Sequence, residues 1–217
     1  MRTISVVALK GGSGKTTLAL HLALAAHMRG SNVVLADADP QRSASDALKA
    51  RGGAGPKFVE TAAAKLFTLQ ESGRRSGLDL IVVDTPCGPE NEVSHAIGLS
   101  DNVVIVVRPA FFDLAVALRT VETCRRLGRS GKIVINQACP SRWGRESPAV
   151  EKALEALQFA ATPIARTVVH ARALYETALA AGHSVEELGA SPAATEMSAL
   201  WDDLSPLLAG EPERLRA

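Results

Sequence analysis

The 217-residue sequence predicts an α/β fold: a doubly wound, mainly parallel sheet flanked by helices. Three observations predict it. Short apolar runs rich in β-branched residues recur at Ile4–Leu9, Val33–Ala36, Leu80–Asp84, Asn102–Val107 and Lys132–Ile135, with little alternation, as in strands buried on both faces. Segments of helical character separate these runs, the order that builds βαβ units. A glycine-rich loop joins the first strand to the first helix, and aspartates close two later strands, where ligands gather in open α/β sheets.

Composition agrees with one domain over residues 1–217, with 210–217 expected as a frayed tail. Apolar residues make up 47% of the chain and aromatics only 4%, so alanine and leucine must fill the core. No apolar run is long enough to cross a bilayer, and Met1-Arg2 leads straight into a strand without a signal-peptide pattern, so a cytoplasmic protein with no membrane partner is expected. Cys87, Cys124 and Cys139 are widely spaced and odd in number, which fits free thiols better than a metal cluster. Charge is segregated along the chain. Residues 103–172 hold about 11 basic against 5 acidic side chains, and residues 173–217 about 2 against 8. A basic segment is the footprint of sequence-independent binding to nucleic-acid phosphates, unless the charges mix in three dimensions.

Taken in order, Ile4–Leu9 is a buried strand and Thr17–Arg29 a helix closed by Gly30. Val33–Ala36 is the second strand, expected beside the first. Ser43–Arg51 is a short helix, broken by the Gly52–Pro56 run. Phe58-Val59 reads as a short strand, and Glu60–Arg75 as a helix with Ala62, Leu66 and Leu69 on one face. After the Leu80–Asp84 strand come a helix over Asn91–Leu99 and the Asn102–Val107 strand. Asp113 is expected to cap a helix running to Leu127. The Lys132–Ile135 strand is followed by a loop carrying Arg142, Trp143 and Arg145. Ser147-Pro148 opens a helix through Leu157, serine as cap and proline in the first turn. Phe159–Ile164 reads as a last strand, His170–Ala181 as a helix carrying Arg172, and Pro192–Leu204 as a final amphipathic helix that Pro206 should end.

The stretch Lys10-Gly11-Gly12-Ser13-Gly14-Lys15-Thr16-Thr17 carries the chemistry. Three glycines within four residues let successive backbone N–H groups point inward at the positive end of a helix, a cradle for phosphate. Lys15 would reach the β- and γ-phosphates and the Thr16 hydroxyl would hold Mg²⁺. Four apolar residues closed by Asp84 make a Walker B pattern, placing a second carboxylate toward the Mg²⁺ shell.

The plain P-loop pattern asks for glycine where Leu9 stands; a second lysine, Lys10, opens the loop instead. With Asp37-Ala38-Asp39-Pro40-Gln41 and Asp84-Thr85-Pro86, this variant resembles the deviant Walker A motif of the ParA/MinD ATPases, over roughly residues 2–208. The resemblance implies ATP and Mg²⁺ as cofactors, and a homodimer formed on ATP in which Lys10 reaches the nucleotide of the other subunit. It implies Asp37 on a water of the Mg²⁺ shell, Asp39 orienting the attacking water, and Asn136 near the adenine. It further implies non-specific DNA binding and a nucleoid-associated location, with Arg166 and Arg172 as candidate contacts. A ParB-like or adaptor partner would stimulate slow hydrolysis and so position plasmid, chromosome or other cargo. The same loop also opens biosynthetic ligases and metal-cluster carriers, which stand as the alternative.

Overall fold

The computed structural model describes residues 1–141 and 143–209; the expected frayed tail at 210–217 and Arg142 lie outside the described residues. Six strands form one sheet: β1 (Arg2–Val7), β2 (Val33–Asp37), β3 (Lys57–Glu60), β4 (Leu80–Asp84), β5 (Asn102–Val107) and β6 (Ser130–Ile135). Their order is β3-β2-β4-β1-β5-β6, and every pairing is parallel. Helices α1 (Lys15–Met28), α2 (Ser43–Ala50), α3 (Leu66–Arg75), α4 (Glu90–Leu99), α5 (Phe111–Arg126), α6 (Pro148–Leu157), α7 (Ala173–Ala180) and α8 (Pro192–Ala209) accompany the sheet among the described residues.

Parallel pairing needs crossovers, and crossovers put helices on both faces, so the strands must be apolar throughout. They are: β2, β4 and β5 are buried at every residue. One core packs α1, α7 and α8 on β1, β2 and β4 through Leu18, Leu22, Tyr175, Leu200 and Leu204. Another packs α5 and α6 on β5 and β6 through Val121, Cys124, Val150 and Leu157. Helix α1 is buried nearly all round, which is why its alanines and leucines show no polar stripe.

The sequence expectation that β2 lies beside β1 is corrected: β4 intervenes. A five-residue run buried at every position needs a strand on each side, and β4 takes that interior slot, leaving the polar β3 at the sheet edge. The register sets Asp37 opposite Asp84 across the β2–β4 pair, and Val6 opposite Asp84 across β1–β4.

Other differences have local causes. The segment 159–164 is not a strand. Pro163 has no N–H to donate, so this stretch meets β6 only through the Pro163 and Ile133 carbonyls and an isolated bridge at Ile164. The helix expected over 60–75 begins as a 3₁₀ turn at Ala63–Lys65, because Glu60 still pairs in β3 and Thr61 N–H bonds the Asp37 carbonyl; Ala63, Leu66 and Gln70 are buried and Ala62 is exposed. Helix α7 starts after Arg172, which is extended rather than helical. Helix α8 runs through Pro206 to Ala209. Ser147 caps α6 as expected, accepting from the Val150 N–H at 3.4 Å. Helix α5 begins at Phe111, so Asp113 lies inside its first turn and caps nothing.

The segregated charges mix in space. Acidic residues of the C-terminal region pair with basic residues elsewhere: Glu196 with Arg172, Asp203 with Lys132 and Arg166, Glu187 with Arg51, Glu186 with Arg29. Among the described residues no helix is long and apolar enough to cross a membrane.

Candidate functional site

The C-terminal ends of β1, β2, β4, β5 and β6 bring the motif residues to one edge of the sheet. After β1 the chain turns through Gly12 and Gly14, both at positive φ (72° and 88°), and enters α1 at Lys15. Glycine at 14 is required twice over. Its backbone is left-handed, and a Cβ there would stand 2.2 Å from Asn136 Nδ2. That approach exists because Asn136, just past β6, donates its amide to the Ser13 carbonyl at 2.7 Å. Asn136 therefore braces the loop from behind. It also lines a cavity of about 510 Å³ with Thr17, Gln137, Arg172, Tyr175 and Glu176, beside the first turn of α1.

Lys15 is buried and Thr16 half-buried at the helix start. Asp84, at the end of β4, is fully buried, and among the described residues neither carboxylate oxygen has a hydrogen-bond partner. Burial, helped by Asp37 and Asp39, pushes its carboxyl up to about 7, against the opposing pull of the Thr16 hydroxyl and the Lys15 ammonium. A buried, orphaned carboxylate crowded by two others is destabilising unless a cation joins it. That donor set fits Mg²⁺ and its waters, hard oxygen ligands around a small divalent ion.

Asp37 is buried as well, but its oxygens are already engaged. Oδ2 accepts from the Ser45 N–H (2.9 Å) and hydroxyl (2.8 Å), and Oδ1 from the Asp39 N–H (3.2 Å). Asp37 thus ties β2 to α2, and one oxygen keeps a lone pair for a water. Asp39 is half-buried at the lip, its Oδ1 accepting from the Gln41 N–H. Arg42, which sequence reasoning passed over, stands at φ 57° and donates to the carbonyls of Asp37 (2.5 Å) and Thr61 (3.0 Å), clamping the ends of β2 and β3. Its signal, a non-glycine residue in the left-handed region, exists only in three dimensions.

On the other side of the loop, Lys10 bonds Asp113 of its own chain, whose second oxygen takes Arg108 Nε at 2.5 Å. Burial opposes, but Arg108 and Lys10 together hold the Asp113 carboxyl below its ordinary value. Phe111 and Phe112, stacked edge to face 5.4 Å apart, stand 78% and 74% exposed beside this cluster.

The two arginines expected on DNA differ. Arg172 is paired with Glu196 through Nε and Nη2, which leaves less of its guanidinium for a DNA phosphate. Arg166 has a side chain 86% exposed, with Nε 3.5 Å from Asp203. Glu196 is a hub that sequence reasoning missed: it also accepts from the Tyr175 hydroxyl (3.1 Å) and pairs with His170 (2.8 Å), whose other ring nitrogen meets Glu146 (3.0 Å). Burial would raise the Glu196 carboxyl, but Arg172 and His170 outweigh it and keep the group ionised. Cys87 and Cys139 are exposed and Cys124 is buried, all free. Among the described residues no three His, Cys, Asp and Glu side chains converge as a metal cage of their own, so a cation at Asp84 would need water and phosphate oxygens to fill its shell.

Comparison with known proteins decides the family. Residues 4–185 match the CbiA model, the CobQ/CobB/MinD/ParA nucleotide-binding domain. The chain belongs to this family. It is 35% identical over 189 residues to the maintenance of carboxysome distribution protein A of Gloeobacter kilaueensis, covering 85% of this chain and 83% of that one. To the protein of the same name from Halothiobacillus neapolitanus it is 28% identical over 218 residues, covering 94% and 96%. The septum site-determining protein MinD of Pyrococcus horikoshii, solved with Mg-ADP, superposes with a TM-score of 0.76 at 18% identity, over 98% of this chain and 99% of that one. The ParA/MinD likeness drawn from three short motifs is thus borne out along most of the chain, and the six-stranded parallel sheet is the family's fold.

Proposed function

We propose that this chain is a ParA/MinD-type ATPase that dimerises on ATP, lets go on hydrolysis, and positions an intracellular cargo with the help of a partner protein. One observation carries the reading: a phosphate cradle faces a buried carboxylate, Asp84, that makes no hydrogen bond within normal distance among the described residues and sits between Lys15 and Thr16 on one hand and Asp37 and Asp39 on the other. That arrangement is costly in an idle fold and useful in a nucleotide site.

The backbone amides of Gly11–Gly14 and the Thr16 and Thr17 turn bind the triphosphate, with Lys15 on its β- and γ-oxygens. Thr16 and, through water, Asp84 and Asp37 would hold Mg²⁺, which would supply positive charge to the phosphate oxygens. Asp39, on the half-open lip, orients the attacking water. Lys10 leaves its own chain to meet the other subunit's triphosphate, and a cation so placed in a dry site is worth several kcal/mol. The exposed Phe111–Phe112 pair stands beside that cluster, where a second subunit would cover it. Loss of the γ-phosphate removes what holds the segments after β2 and β4 in place, and the pair separates.

The two relatives named for carboxysome distribution favour a cargo of that physical kind, large and distributed through the cell, over a plasmid. Non-specific DNA is the track this reading supplies. Arg166 is its candidate contact here, since Arg172 is engaged. Dimerisation would present Arg166 twice and so multiply phosphate contacts, and nucleotide state would switch the track on and off.

The test is ATP turnover and self-association measured together. Lys15→Ala should lose nucleotide binding; a tight ATP complex in that variant rejects the site. Asp39→Ala should hold an ATP-bound dimer with turnover reduced at least tenfold; unchanged turnover rejects Asp39 as the water-orienting group. DNA retention should need ATP and weaken steeply with salt; equal retention without nucleotide rejects the switch.

A further inference from the structure

Lys10 and Asp113 are 103 residues apart in sequence, yet the ammonium of one rests on the carboxylate of the other. The two are unequal partners. The Asp113 side chain is 3% exposed and fixed in the first turn of α5, where the helix dipole favours negative charge; the Lys10 side chain is 41% exposed on a flexible stem. Arg108 holds the second carboxylate oxygen and reaches the P-loop, its Nη1 3.8 Å from where a Cβ on Gly12 would stand. Lys10 can therefore leave without stranding a buried anion, because Arg108 stays behind. A structural ion pair would not need this redundancy.

We propose that Asp113 is a cis dock for Lys10: it withholds the lysine in the nucleotide-free chain and surrenders it to a second subunit's triphosphate, with Arg108 as the counter-ion that makes the exchange possible. This rests on the dimeric reading above. Asp113 acts through Lys10 and is a positioning residue. The triphosphate carries several negative charges against one on Asp113, so the exchange runs toward the dimer only when nucleotide is present. Without nucleotide the dock raises the barrier to pairing and keeps the two states apart.

Two variants shift the dimer in opposite directions, which a purely structural role would not do. With the non-cleavable β,γ-imido analogue of ATP, sedimentation equilibrium should show Asp113→Asn dimerising about tenfold more tightly than wild type, since two docks no longer have to open per dimer. Arg108→Gln should dimerise more weakly, because departure of Lys10 would then leave Asp113 buried and unpaired. If both variants weaken the dimer, or neither moves it, the dock is wrong. A second readout needs no dimer. In nucleotide-free protein, acylation of the Lys10 amine, followed by peptide mass spectrometry, should be severalfold faster in Asp113→Asn than in wild type. Equal rates overturn the dock, even if Asp113→Asn proves too unstable for sedimentation. If wild type stays monomeric with the analogue but Lys10 is shielded as stated, the dimeric reading fails and the cis contact stands.

Discussion

The two sides of the nucleotide edge are built differently. On the β2–β4 side, Asp37, Asp39 and Asp84 come from short contiguous motifs at strand ends, and the parallel register alone sets Asp37 opposite Asp84. On the β5–β6 side, contacts are assembled across the chain: Lys10 with Asp113, Ser13 with Asn136, His170 and Arg172 with Glu196. The first side carries like charges and an unpartnered carboxylate, and the second is dense in hydrogen bonds and ion pairs, although the buried Ser13 hydroxyl has no partner among the described residues. One side holds strain that ligand would relieve, and the other supplies the rigidity that keeps that strain in place.

If that contrast is right, a substitution on the strained side should cost function and not stability. Asp84→Asn should lower ATP turnover at least a hundredfold. The nucleotide-free protein should nevertheless become more stable at pH 8, by about 2 kcal/mol, because a buried charge without a partner is removed. Thermal melts with and without ATP read both effects. A destabilised nucleotide-free variant would mean that Asp84 is structural and that the contrast fails.

Helix α1, which packs on β1, β2 and β4 behind the loop, makes the opposite prediction, and His21 gives it a pH dependence. This histidine of α1 is held neutral: Nδ1 donates to the Thr17 carbonyl (2.7 Å), and Nε2 accepts from the Val185 N–H (3.2 Å). Burial lowers its pKa to about 4. An unfolded histidine titrates near 6.5, so below that pH the unfolded chain takes up a proton that the folded chain refuses. Stability is therefore full above about pH 6.5, falls as the pH drops toward 4, and loses no more from this group below that. The total is about 3 kcal/mol at 1.36 kcal/mol per pH unit. His21→Gln should be less stable at pH 7.5 but should lack this part of the acid loss. Parallel acid curves for the two proteins would remove His21 as the cause.

A smaller effect is expected at Glu196. Replacing it with Gln removes the charge that pairs with Arg172 and weakens the contact to His170, and should cost about 2 kcal/mol, since the Arg172–Glu196 pair is partly buried. Turnover measured well below the melting temperature should change less than threefold. A large loss of turnover in a folded variant would bring the hub into the chemistry.

This division also explains what could be read from the sequence. Strands β1, β2, β4, β5 and β6 were legible because a doubly wound sheet demands unbroken apolar runs, whereas the polar edge strand β3 showed only as Phe58-Val59; the P-loop was legible because glycines at fixed spacing have few other uses. Strand order was not legible: nothing in β4 says that it enters between β1 and β2. Asp113 was misread as a cap because Asp followed by Leu-Ala-Val-Ala-Leu is a plausible helix start. Its real partners, Lys10 and Arg108, meet it only through the crossover after β5. The pairing of Arg172, a candidate DNA contact, with Glu196 was not legible, because Glu196, 24 residues away, has no motif that announces it. Residues that serve ligand cluster locally in the chain, whereas residues that hold the site are recruited from wherever the topology brings the chain back.

Asn136 lies on the boundary between these classes, and one variant assigns it. It lines the cavity beside α1, where a base would sit, and its amide also supports the Ser13 carbonyl under the phosphate cradle. If it reads the base, Asn136→Ala should weaken ATP while leaving tripolyphosphate binding unchanged, and should erode the preference for ATP over GTP. If it braces the loop, the variant should weaken ATP, GTP and tripolyphosphate alike, by about tenfold, with a stability loss of about 1 kcal/mol for one buried hydrogen bond. The 2.7 Å bond and the 2.2 Å approach that forces glycine at position 14 favour bracing. Calorimetric titration of the three ligands separates the two roles, and a selective loss of ATP would move Asn136 from the supporting side of the edge to the side that serves ligand.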